Sequence, residues 1–348
     1  MSDLMVRLRE AGWAERPSKR RGERQESPPE SRGDDTGGDG GRPPDTAPPR
    51  RKRLAPTALP TLHRLGSLDG LRGVAIAAVF AFHLGLLPGG FLGVDLFFVL
   101  SGFLITRLLV TEFRLLDHIE VKEFWRRRVR RLFPALAAML AGVALLTRFG
   151  PDSLQTPAQA PAQAAGSVLS VANWVGIAQQ NDYFTDAAQS PLAHVWSVSL
   201  EEQVYLAFPF VVGASVRRSK GDLRPLTTLL AGVTALSWLW GLALLADGNG
   251  IGRTYLDTGA RIGAMTTGAI AALLITTDAY DVEGGDRRIA RVRLFCDQAA
   301  PGALALMLAI ALTTPRLPMD WTAFRWIPVQ VFALATSVVL VAATHAHT

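Results

Sequence analysis

From about Leu68 onward the chain alternates apolar runs with short charged segments, and no other feature limits its fold as tightly. A helix of about 20 apolar residues spans the hydrocarbon core of a bilayer, where only helices or closed barrels satisfy the backbone. The spacing predicts crossings near Leu71–Leu87, Phe91–Val110, Leu132–Phe149, Val195–Gly213, Leu226–Ala246, Arg261–Thr277, Ala299–Thr314 and Trp326–Thr344. The expected fold is an all-α polytopic membrane protein, with about eight transmembrane helices plus one partial segment. That segment, Ala162–Ala178, is rich in small residues and ends in Asn173-Trp174. A re-entrant or interfacial course is preferred for it, because both later basic loops then fall on the cytoplasmic side.

The first residues differ. Between Glu15 and Arg53 the chain is dominated by Gly, Pro, Ser, Asp, Glu and Arg, too polar to build a core. Residues 1–66 are expected to form a disordered basic cytoplasmic tail, and 67–348 the membrane domain. Arg50, Arg51, Lys52 and Arg53 read as an orientation signal, with anionic-lipid contact as a compatible addition. The stretch from Thr111 to Arg131 holds seven cations, including Arg126, Arg127, Arg128, Arg130 and Arg131. By the positive-inside rule it is a cytoplasmic loop, which makes the N-terminus cytoplasmic and the protein multi-pass in the plasma membrane. The net charge of +6 follows from these segments and does not require a nucleic-acid partner. The single cysteine, Cys296, rules out an intramolecular disulfide and a Cys-based metal site. No metal site is expected.

The polar residues inside the apolar runs carry the chemistry. Arg72 and His83 are eleven residues apart with no charge between them. Eleven steps of about 100° return to nearly the same helix face, about 16 Å further along the axis. Ionisable groups at such depth mark a reaction or transport path. Asp95 follows Gly90 by as many residues as His83 precedes Pro88. A hairpin centred on Pro88-Gly89-Gly90 would therefore bring Asp95 to His83, fixing its tautomer and raising its basicity. The alternative is a pair that merely ties two helices. His194, Glu201 and Tyr205 share another helical face, and Glu202 points aside. Two adjacent carboxylates at membrane depth need cations, hydrogen bonds or a shared proton, and Arg261 and Arg72 are the expected partners. A purely structural arginine contact is the alternative. The run Phe124–Arg131 suits phosphates, or topology alone. Gly93 and Gly102 read as points of close helix packing.

Leu68-Asp69-Gly70-Leu71-Arg72-Gly73 with His83 resembles the Arg-x10-His signature of the acyltransferase type 3 family, membrane O-acyltransferases of envelope glycans. Gly89 to Thr106 is similar to its second signature. Phe124-Trp125 with Arg127, Arg128, Arg131 and Pro134 resembles a third, with Trp125 where Tyr is usual. His194 to Tyr205 resembles a fourth, and Tyr255, Asp257 and Arg261–Gly268 a weaker fifth. The resemblance implies transfer of an acyl group, commonly acetyl, from acetyl-CoA or another acyl-CoA to a hydroxyl of a carbohydrate or lipid-linked acceptor. No cofactor is expected to be bound tightly. His83 would be the base and Arg72 its required partner, with Asp95, Glu201 and Glu202 also catalytic. Arg127, Arg128, Arg131 and Arg261 would hold the donor, and His194, Trp196 and Tyr205 the acceptor. Direct transfer is expected, with Ser101 the one weak candidate for a nucleophile. The family's final helices are expected to be missing after Thr348. The rival readings are a proton-coupled transporter or flippase of a glycan, and an inactive truncated remnant.

Overall fold

A computed structural model of the protein describes residues 66–149, 160–180, 184, 191–276, 282–313 and 322–345. The expected tail, with Arg50 to Arg53, lies outside the described residues apart from Gly66. Among the described residues the regular structure is entirely helical. Helix α1 (Gly66–His83) is followed by a 3-10 turn (Pro88–Leu92) that runs into α2 (Gly93–Leu116). Then come α3 (Val121–Phe149), the short α4 (Ala160–Val168) and α5 (Ala172–Ala178), α6 (Val195–Arg218) and α7 (Arg224–Ala246). The short α8 (Ile251–Leu256), α9 (Thr258–Leu274), α10 (Val282–Thr313) and α11 (Thr322–His345) complete the chain.

Five stretches are long and apolar enough to cross a membrane: Pro88–Leu116, Val121–Phe149, Arg224–Ala246, Arg287–Thr313 and Trp326–Thr344. The other three expected crossings are helices, but of a different kind. α9 has 17 residues, and α1 and α6 carry charges within their length. The expected count of about eight thus rests, for those three, on helicity alone. The partial segment breaks at Ser170 (φ 57°) into helices of nine and seven residues. Neither piece is long enough to span a bilayer.

One expected loop is mostly helix. α2 continues to Leu116, where Asp117 caps it in the left-handed region (φ 65°). α3 already begins at Val121, so Arg126 to Arg131 stand on its first turns. Arginine is a good helix former, and nothing in that run breaks a helix.

The core is built around α2. Its most extensive contact is with α9. A Cβ on Gly102 would collide with the Met265 carbonyl, and one on Gly268 with the Val99 carbonyl. Arg261 meets Asp95 at the start of both helices and this glycine crossing lies about two turns further along each, so α2 and α9 are parallel. Backbones this close supply the dispersion contacts that hold helices together in lipid, where no hydrophobic force acts between them. The sequence expectation for Gly102 is met in this crossing, and Gly93 likewise lies against the Ala75 carbonyl of α1. α3 is the opposite case. Its apolar stretch leaves Phe133, Leu145, Leu146 and Phe149 exposed, as a lipid-facing surface would.

Candidate active site

The α1–α2 hairpin determines which polar residues meet. Gly90 lies against Ala78 and Phe82, and Gly93 against Ala75 and Val79. Three steps forward along α2 are three steps back along α1. Continuing that register brings Asp95 level with the turn from Gly73 to Ala77, six to ten residues or about 9–15 Å from His83. The expected Asp95–His83 hydrogen bond is therefore absent. The chain reverses at Gly85 (φ 70°), where glycine tolerates the left-handed region, and not at Pro88-Gly89-Gly90. Those residues form the 3-10 lead-in to α2.

Asp95 instead belongs to a buried lock. Its Oδ1 accepts from Arg261 Nη2 at 2.6 Å, and its Oδ2 from the Tyr255 hydroxyl at 3.3 Å. Asp95 is 0% exposed and Arg261 1%. The Arg261 guanidinium lies 4.2 Å from the Tyr255 ring centroid, with Phe98 and Trp326 also around it. Enclosed this way, Arg261 has no open face for a donor, and it does not partner the glutamates. The parallel Gly102–Gly268 crossing on the same two helices holds the pair together.

The glutamates have another arginine. Arg128 Nε donates to Glu202 Oε1 at 2.6 Å, and its Nη2 lies 3.0 Å from Glu201 Oε1. Its guanidinium stacks 3.7 Å from the Tyr205 ring centroid. Ser101 Oγ of α2 donates to the same Glu201 oxygen at 2.7 Å, and Trp125 Nε1 to the Tyr205 carbonyl at 3.3 Å. Neither Arg261 nor Arg72 fills the expected place. Arg72 pairs with Asp69 one turn away at 3.3 Å and is 38% exposed at its side chain. Arg127 reaches Glu112 at 3.5 Å and Glu123 at 3.7 Å, and Arg131 is exposed.

His83 closes α1 with an exposed side chain, its ring edge-on to Phe82 at 5.4 Å. His194, just before α6, is close enough for the His83 charge to act on it. Burial, and after it the His83 charge, holds His194 below the usual histidine range, against the opposing bond to the Pro191 backbone. An imidazole so placed stays neutral near pH 7. Two histidines from two separate sequence blocks thus lie within electrostatic range of each other. Trp196 and Tyr205 are 3% and 4% exposed, so the expected acceptor contacts are wall residues in this structure. Trp196 packs against the Tyr255 ring at 5.1 Å and the Phe98 ring at 6.0 Å.

Sequence reasoning did not single out the amide network that seats α4 and α5. Gln203 donates to the Ser170 carbonyl and to Asn173 Oδ1, both at 2.8 Å. Its own oxygen accepts from Thr258 at 2.8 Å and Trp174 at 3.2 Å. Asn173 donates in turn to the Leu256 carbonyl and Thr258. Asp257 is similarly engaged, capping α9 through Ala260 and accepting from Arg253 and Trp240. Neutral amides leave no mark on charge patterning, although Gln203 sits inside the quoted block His194–Tyr205.

Known proteins give this arrangement a family. O-acetyltransferase OatA of Staphylococcus aureus is 37% identical over 213 residues, which is 60% of this chain and 34% of that protein. Peptidoglycan O-acetyltransferase OatA of Listeria monocytogenes is 36% identical over 212 residues, covering 60% and 33%. The chain therefore spans about a third of the length of the curated relatives it matches. No solved structure matches it. The sequence profile of the family described as "Acyltransferase domain" matches residues 65–347, which takes in every helix from α1 to α11, and the chain accordingly belongs to this acyltransferase type 3 family.

Proposed function

We propose that the chain is a membrane O-acyltransferase that moves an acetyl group, or another acyl group, onto a hydroxyl of a cell-envelope carbohydrate. The relatives named O-acetyltransferase and peptidoglycan O-acetyltransferase support both the acyl group and the acceptor class. The observation that carries the reading is the match of the acyltransferase family profile over residues 65–347, which takes in both His83 and His194. His83 is the base. As the acceptor oxygen bonds to the acyl carbon, the hydroxyl proton passes to His83 and the bond to the leaving group breaks. Neutral His194 orients the acceptor hydroxyl or relays its proton. Arg72, on the same helix, is an electrostatic partner from a distance.

Acyl-CoA is the proposed donor, held by its phosphates near Arg127 and Arg131. The Arg128–Glu201–Glu202 assembly positions α3 against α6, and so fixes where such a donor would lie. Direct transfer fits the placement of Ser101, whose hydroxyl is committed to Glu201. The N-terminal side of α1 is proposed to be cytoplasmic and the membrane the plasma membrane, from the arginine distribution.

The test is mass spectrometry of base-labile acetate on envelope glycans, in cells lacking the gene and carrying no complement, the natural protein or His83→Ala. Ester acetate should return with the natural protein only. Equal ester acetate in all three strains would refute the reading.

A further inference from the structure

Arg107 and Arg293 take no part in the transfer chemistry above, and their placement is unusual. Arg107 is a half-buried residue of α2, its guanidinium 5.5 Å from the Phe103 ring centroid. Arg293 is a half-buried residue of α10 on the inward stripe shared with Ile289, Val292 and Cys296. Two observations bring them together. A Cβ on Gly89 would collide with the Ala311 carbonyl, which puts α10 beside the start of α2. From Ala311 back to Arg293 is as many residues as from Gly89 forward to Arg107, so an antiparallel course sets the two arginines at one depth. Their charges also act on each other directly.

Two cations that face one another across a half-buried gap repel unless an anion lies between them. Among the described residues no carboxylate is within ion-pair distance of either guanidinium. Glu112, the other carboxylate of α2 besides Asp95, is taken by Arg127 and the Glu120 amide. Asp297, one turn beyond Arg293, is exposed. Arg288 adds further positive charge at the same end of α10, where it donates to the Thr276 carbonyl. Guanidinium forks match phosphate oxygens, and basic pockets between membrane helices bind anionic head groups.

We infer that Arg107 and Arg293 form a binding site for a phosphate group in the gap between α2 and α10, separate from the Arg128 assembly. The phosphate belongs either to an anionic lipid head group or to a soluble phosphate ester. The site does not depend on the acyl-transfer reading.

The test uses the full chain in nanodiscs. In one arm the discs contain phosphatidylcholine alone or with about one part in five phosphatidylglycerol, read by thermal melting and by lipid retained in native mass spectrometry. In the other, inorganic pyrophosphate is titrated into phosphatidylcholine discs. The natural protein should gain melting temperature in at least one arm, which names the source. Arg107→Gln with Arg293→Gln should lose at least about tenfold in affinity for that probe, while the double lysine variant keeps part of it. If the double glutamine variant does not fold, Arg293→Gln alone should show a smaller loss in the same arm. No response of the natural protein in either arm, or equal responses of natural and neutralised proteins, would overturn the site.

Discussion

Arg128 reaches both neighbouring carboxylates of α6 at once, Glu202 at 2.6 Å and Glu201 at 3.0 Å, from a helix that otherwise leans little on the rest of the bundle. The assembly is therefore the principal polar attachment of α3. Arg128→Gln leaves two carboxylates without their cation, and the expected cost is about 2 kcal/mol given their partial exposure. Arg128→Lys should retain part of the stability but not the two-carboxylate geometry. Thermal melting of both variants in nanodiscs checks this, and a natural melting curve for Arg128→Gln would show that α3 is held by other means.

The Asp95–Arg261 pair makes a sharper prediction. Removing one partner strands the other charge in a site closed to water, so Arg261→Met alone should cost about 3–5 kcal/mol. Asp95→Leu together with Arg261→Met should recover much of that loss, because an apolar pair strands no charge. A double-mutant cycle by melting measures the coupling. Additive losses would mean that the pair is not the lock described here.

These two assemblies also show what the sequence can and cannot tell. Helix positions, the Gly102 crossing and the cation requirement of Glu201 and Glu202 follow from hydropathy, residue size and charge. Partner identity does not. Pro88-Gly89-Gly90 has the composition of a turn, but the reversal at Gly85 shifts the hairpin register and sends Asp95 to Arg261, whose position depends on the parallel α2–α9 packing. Arg128 was legible as a cation but not as the partner of Glu201, since a charged run tells nothing of which helix will face it. The Gln203–Asn173 network had no signal beyond its place in a motif.

That network carries a prediction of its own. Gln203→Leu leaves Asn173 Oδ1, the Thr258 hydroxyl proton and the Ser170 carbonyl without their partner, and should cost about 1–3 kcal/mol. The loss should be local, with faster hydrogen exchange over Ala160–Ala178 than over α2. Uniform exchange changes across both would place the network's role elsewhere.

The lowered His194 pKa predicts an acid sensitivity. The unfolded chain binds the His194 proton at a higher pH than the folded chain does, so stability falls as pH drops below the ordinary histidine value toward the folded one. Between about pH 8 and about pH 5.5 the natural protein should lose more melting temperature than His194→Gln, whose side chain does not titrate. Parallel losses would remove His194 as the cause.

The most direct measurement of the central claim is acyl transfer by His83→Ala in isolated membranes, with labelled acetyl-CoA and a carbohydrate acceptor, at protein levels matched to the natural chain. A base that takes the hydroxyl proton is worth about 100-fold or more, so transfer should fall at least that far while melting stays within about 1 kcal/mol of the natural protein. Transfer at the natural rate would contradict the assignment of His83 as the base.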